Sequence, residues 1–121
     1  MAEAGYEKLL AWQKADELAY QIYLATRTFP KEELYGMTSQ IRRAGLSMPT
    51  NLVEGYARQG KKEFRQFVNI ALGSLAEAKY LLGFALRLTY LKPEAHRHLH
   101  GQAEEVGRLL WKFYQSLGAK P

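Results

Sequence analysis

A chain of 121 residues with 47% hydrophobic and 24% charged side chains has the size and make-up of one soluble globular domain. With no cysteine, disulfides and thiolate metal sites are excluded, and no apolar run reaches the ~18 residues that a membrane span needs. The net charge of +5 leans toward polyanionic partners.

The opening MAEAGYEKLL holds two glutamates and no apolar core, so it does not read as a signal peptide. A cytoplasmic location is the default expectation. Nothing alternates with the two-residue period of a strand, and no Asn-Gly or Asp-Gly hairpin turn is present. The first helix is expected from Tyr6 to Thr28, with Ala11, Ala15, Leu18 and Ile22 on its apolar stripe. Phe29-Pro30 ends it, because the residue before a proline is pushed out of helical geometry.

The second helix is expected to start just after Pro30 and to run to about Arg58. Leu34, Met37, Ile41, Ala44, Met48 and Leu52 keep one stripe across Pro49, which predicts a single helix kinked there. An interior proline costs about 3 kcal/mol, so packing must offset it. A second stripe, Arg43, Ser47, Asn51, Glu54 and Arg58, is polar throughout. It is either a solvated face or a face toward a ligand or a second copy, since Ala44 and Gly45 let another backbone come close. Gly60 is expected as a left-handed cap.

The third helix is expected over Lys62 to Tyr90. Phe64, Val68, Ala71, Leu75, Ala78, Leu82 and Ala85 form the main stripe, while Phe67, Ile70, Leu72, Leu81, Phe84 and Leu88 lie on other faces. A helix apolar nearly all round is buried on more than one side, which points to self-association. Gly73 and Gly83 each weaken the helix by ~1 kcal/mol relative to alanine, and close helix contact is expected to explain them. The fourth helix starts at Pro93 and carries the cleanest heptad: Leu99, Ala103, Val106, Leu110, Phe113 and Leu117. Gly118 closes it, and Ala119-Lys120-Pro121 is expected to fray. The result is an all-α, single-domain (1–121), antiparallel up-down-up-down four-helix bundle.

No catalytic pattern emerges. His96, His98 and His100 sit on one helix without an HExxH arrangement. Glu94 and Arg97 stand where a di-metal bundle needs Glu-x-x-His. There is no P-loop, GxGxxG or GxSxG, so neither enzyme activity nor a cofactor or metal is expected. Basic residues carry what chemistry there is. Arg42, Arg43, Arg58, Lys61, Lys62 and Arg65 face only Glu54 and Glu63 within residues 41–70, leaving +4 of the chain's +5 there. Arginine's planar fork suits phosphate. Tyr56, Phe64 and Phe67 are close in sequence, either as core residues or as platforms on which a base could stack.

These same residues carry a resemblance. FPKEELYGMTSQIRRAGLSMPTNLVEGYAR, followed by EFRQFVNIALGSLAE and preceded by YEKLLAWQKADELA, resembles the four-helix-bundle proteins encoded by intervening sequences in bacterial 23S ribosomal RNA genes. It covers about residues 6 to 91. It implies a subunit of a homopentameric ring with a basic surface and no catalytic residues. A related branch serves diversity-generating retroelements and binds nucleic acid and a reverse transcriptase. The expected partners are therefore further copies of the chain, RNA or DNA, and a reverse transcriptase, with no membrane. The primary expectation is a non-enzymatic oligomer that binds structured RNA through the six basic residues, with a duplex salt slope of about −5 if all engage. The alternative is a protein-docking scaffold whose charge serves solubility. Ser47, Asn51 and Glu54 are the candidates for a polar oligomer contact.

Overall fold

Four α-helices make up the architecture of the computed structural model, which describes residues 5–118. The expectations for residues 1–4 and for the fraying of 119–121 fall outside them. Helix α1 spans Leu10–Ala25, α2 Met37–Tyr56, α3 Lys61–Arg87 and α4 Pro93–Gly118. No strand occurs among the described residues.

The ends of the helices are tighter than the periodicity suggests. The expected Tyr6–Thr28 helix is regular only over α1, flanked by 3-10 turns at Gly5–Lys8 and Thr26–Thr28. Thr26 folds its hydroxyl back onto the Ile22 and Tyr23 carbonyls, at 2.9 and 3.1 Å, which draws in the last turn. Phe29 is extended, as a pre-proline residue must be.

The second helix starts later than expected. Lys31–Glu33 forms only a 3-10 turn, and α2 begins at Met37. Glu33 Oε1 accepts the Met37 backbone N–H at 3.0 Å, one of the donors a helix start leaves without an internal partner. A Cβ on Gly36 would lie 2.9 Å from that oxygen, so glycine leaves room for the cap. α2 then continues through Pro49, which is buried.

At the far end of α3 the helix stops at Arg87, short of the expected Tyr90. Thr89 adopts φ 64°, and the N–H groups of Thr89 and Tyr90 close back onto Leu86 and Ala85. That is a Schellman closure, with a β-branched residue in the seat glycine usually takes. Gly60 does have positive φ (104°), but it precedes α3 rather than completing a turn of α2.

Each helix packs on its chain neighbours, and α1 also packs on α4, which closes the bundle. Residue numbers fall along one helix as they rise along the next: Arg65 meets Tyr114, Leu75 meets Gly107, and Lys79 meets Glu104. Leu18, Ile22, Ile41, Met48, Leu52, Leu82, Leu99 and Leu110 are fully buried between the helices. Side chains of this size contribute about 1.5–3 kcal/mol each on burial. Of the small pair Ala44-Gly45, both are buried within the subunit, and Gly45 meets α1 of the same chain. A Cβ on Gly45 would lie 3.2 Å from Ile22 Cδ1 and 3.7 Å from Ala19 Cα.

Most of the apolar surplus of α3 is absorbed inside the subunit. Leu81 and Leu82 are buried, and Phe64, Phe67, Leu72 and Phe84 are half-buried. Ile70, at 50% exposure, and Leu88, just past the helix end, are exposed, as is Tyr80 on the same helix. Contact within the chain does not explain Gly73 and Gly83, because a Cβ at either position would meet nothing within 4 Å.

Candidate nucleic-acid interface

The six basic residues singled out by sequence do not form one cluster. Arg42 lies at the α1–α2 seam, where it is half-buried. Its Nε donates to Thr26 Oγ1 at 2.8 Å, and its guanidinium sits 4.6 Å from the Tyr23 ring centroid. It binds α2 to the end of α1. Arg43 is exposed one residue on, but about 20 Å along the axis from the end of α2 at Tyr56.

Arg58, Lys61, Lys62 and Arg65 do come together, around the turn from α2 into α3. The first three are exposed. Arg58 rests over the Phe67 ring at 5.1 Å. Arg65 is half-buried: its Nε donates to the Tyr114 carbonyl at 3.1 Å, and its guanidinium lies 3.7 Å from the centroid of the Tyr114 ring.

An aromatic cluster stiffens this end of the bundle. Phe64 meets Tyr56 and Phe113 edge-on, with centroids 6.1 and 5.1 Å apart. Gly55 makes the approach possible, since a Cβ there would lie 2.6 Å from Phe64 Cδ1 and 2.8 Å from Phe67 Cβ. Phe64 and Phe67 are therefore packing residues, and neither offers a free face to a base. Trp111 is a better platform. It is 51% exposed and stacks on Tyr114, with centroids 5.7 Å apart and planes inclined by 22°. The sequence signal was present, since Trp111 and Tyr114 are three apart on α4 and off its apolar stripe.

The polar stripe of α2 is divided between hydrogen bonds inside the subunit and an exposed face. Ser47 Oγ is 2.7 Å from Ser74 Oγ on α3, and Asn51 Nδ2 donates to the Ser47 carbonyl and hydroxyl at 2.7 and 2.9 Å. Ser47 and Asn51 thus form a hydrogen-bonded seam inside the subunit. Arg43, Glu54 and Arg58 are the exposed members of the stripe.

The histidines do not converge on an ion. His96 and His100 stack at 5.8 Å, and His100 Nε2 lies 3.7 Å from Glu104. The Glu104 carboxyl is held below its ordinary range by its hydrogen bond and ion pair with Lys79, with smaller help from His100 and Arg108. Among the described residues no three or more His, Asp or Glu side chains are grouped to hold a metal. None of the helices of the described residues is long and apolar enough to cross a membrane.

The family model for 23S rRNA-intervening sequence proteins matches residues 7–112. The chain belongs to this family. The match extends well into α4, beyond the stretch that carries the resemblance in the sequence. Among solved structures, the fold is similar to the crystal structure of a protein with unknown function from the S23 ribosomal protein family of Bacteroides thetaiotaomicron VPI-5482. The TM-score is 0.78 at 26% identity, covering 87% of this chain and 98% of that one. A comparison with curated proteins returned no match.

Proposed function

We propose that this member of the 23S rRNA-intervening sequence family is a non-catalytic, self-associating protein that binds RNA at the α2–α3 end of the bundle. The observation that carries the reading is the convergence of exposed Arg58, Lys61 and Lys62 with Arg65 on a rigid aromatic base. Long cationic side chains on a fixed base suit a phosphate backbone, where affinity comes from displaced counterions. Arg42 takes no part, and Arg43 contributes at most from a separate place on α2. The family's description names the 23S rRNA intervening sequence, so ribosomal RNA fragments are the first ligands to try.

Self-association is supported by the exposed Tyr20, Tyr23, Leu34, Tyr35 and Leu46. Together with Leu24 they line adjoining grooves along α1 and the start of α2, of about 380 and 410 Å³. Tyr35 is 93% exposed, an unusual position for an aromatic ring that nothing covers. A ring of five copies, which the family resemblance implies, repeats the basic end around its rim and raises affinity through multiple contacts.

Titration with ribosomal RNA fragments across a salt series tests the reading. Three or four phosphate contacts per subunit give a log–log slope of about −2 to −4. Affinity that ignores salt, or a Lys61→Glu/Lys62→Glu protein that binds as well as the parent, sinks it. Light scattering that finds only the 13.9 kDa chain at micromolar concentration removes the self-association half.

A further inference from the structure

Beside the basic turn, a groove of about 180 Å³ runs between α3 and α4, lined by Lys62, Arg65, Gln66, Asn69 and Tyr114. It is smaller than the roughly 300 Å³ at which small-molecule pockets begin, so it has room for one planar ring rather than a whole ligand. Arg65 holds Tyr114 in place through both its ring and its carbonyl, and Trp111 stacks on that fixed ring. The indole remains half open to solvent.

From this arrangement we infer that the open face of Trp111, stacked on the Tyr114 that walls the α3–α4 groove, is a stacking site for an unpaired nucleobase, and that the protein engages single-stranded rather than duplex nucleic acid there. A base inside a duplex has both faces occupied by its neighbours, whereas an unpaired base can lay one face on an aromatic ring. Trp111 supplies the ring. Gln66 and Asn69, both exposed on α3 one turn apart, supply amide donors and acceptors for a base edge. Lys62 and Arg65 lie where the adjoining phosphates pass. Cationic groups beside an aromatic platform are the usual composition of a surface that tracks a single strand. The inference rests on the RNA-binding reading above and narrows it to one ligand form and one further residue.

Two arms keep the inference separable from that reading. In a Trp12→Phe background, where Trp111 is the remaining tryptophan, an oligouridine of about 12 nucleotides quenches the indole fluorescence and the matching duplex does not. Trp111→Ala weakens oligouridine binding roughly 10- to 100-fold, the scale of one base–aromatic stack, and changes duplex binding less than about twofold. Trp111→Phe recovers most of the loss, which a merely misfolded protein would not do. If Trp111→Ala binds oligouridine like the parent while Lys61→Glu/Lys62→Glu does not, the stacking site is wrong and the RNA-binding reading survives. If single strand and duplex quench alike, the preference for unpaired bases is wrong. Failure of the parent to bind any RNA removes both.

Discussion

Two glycines in neighbouring helices make a matched test of the packing. Gly73, in the middle of α3, has nothing within 4 Å of where a Cβ would stand. Alanine there gains helix propensity of about 1 kcal/mol and meets no clash. For a chain of this size that raises the melting temperature by roughly 3–6 °C. Gly55, near the end of α2, has Phe64 Cδ1 at 2.6 Å and Phe67 Cβ at 2.8 Å from the same point. Carbon atoms rest near 3.5–4.0 Å apart, so both phenylalanines must move by about an ångström. One of the obstructing atoms is a Cβ, fixed to the α3 backbone, so rotating a side chain does not relieve the contact. Overpacking of this kind costs about 2–3 kcal/mol, from which the propensity gain of ~1 kcal/mol is subtracted. Gly55→Ala is thus expected to lose about 1–2 kcal/mol, leaving the two variants about 2–3 kcal/mol apart.

The assay is thermal unfolding by circular dichroism at one fixed protein concentration, since melting of an oligomer shifts with concentration. Light scattering on the same samples reports the mass. Gly73→Ala is expected to melt higher with its mass unchanged, and Gly55→Ala to melt lower. A lower melting point or a smaller particle for Gly73→Ala refutes the reasoning about α3. It would mean that another chain's backbone lies over Gly73 and that copies associate through α3 rather than through the α1–α2 face. A Gly55→Ala protein as stable as the parent would mean that the Phe64–Phe67 packing yields at little cost.

Arg42→Met loses the bond to Thr26 and the stacking on Tyr23, and is expected to cost about 1–2 kcal/mol of stability. RNA affinity should stay within about twofold of the parent in filter binding, because one neutralised non-contacting arginine leaves the counterion term unchanged. Acid is expected to loosen the cap of α2. The Met37 backbone N–H and then the Tyr90 hydroxyl, bonded at 3.0 and 2.9 Å, hold the Glu33 carboxyl below its ordinary value of 4.5. A depressed carboxyl contributes stability that is present above the unfolded value and lost as pH falls through the folded one. Melting temperature should therefore drop below pH 4.5, and Glu33→Gln should flatten that part of the profile.

The interior of this bundle was legible because burial follows the helical period. Ile41, Ala44, Met48 and Leu52 in α2, and Leu99, Ala103, Val106 and Leu110 in α4, are spaced by threes and fours, and all are buried. Helix ends were less legible. A 3-10 turn and an α-turn share most of their sequence preferences, so Lys31–Glu33 reads as the start of α2. What fixes the true start is Glu33 reaching forward four residues to Met37 while Tyr90 holds its other oxygen. Tyr90 is far along the chain, and no local pattern contains it. The polar stripe was legible as polar, but not in its direction. Ser47 turns inward because Ser74 meets it across the seam, and Asn51 bonds back to Ser47 along α2.

The candidate site shows the limit in another form. Six basic residues within residues 41–70 look like one cluster on paper, yet α2 carries Arg42 and Arg43 far from Lys61 and Lys62. A helix that advances 1.5 Å per residue turns nearness in sequence into distance in space. It also creates nearness that sequence conceals: Arg65 and Tyr114, 49 positions apart, share a hydrogen bond and a stacked contact. The same contact decides which charges are free to act. Holding the Arg65 guanidinium against Tyr114 spends its flexibility on architecture, so the groove gains a fixed wall while Arg58, Lys61 and Lys62 stay exposed. A ligand that meets this end finds rigid aromatic surface on the α4 side and adaptable charge on the α2 side. A flexible strand with exposed bases can use both at once, whereas a stiff duplex can reach only the charge.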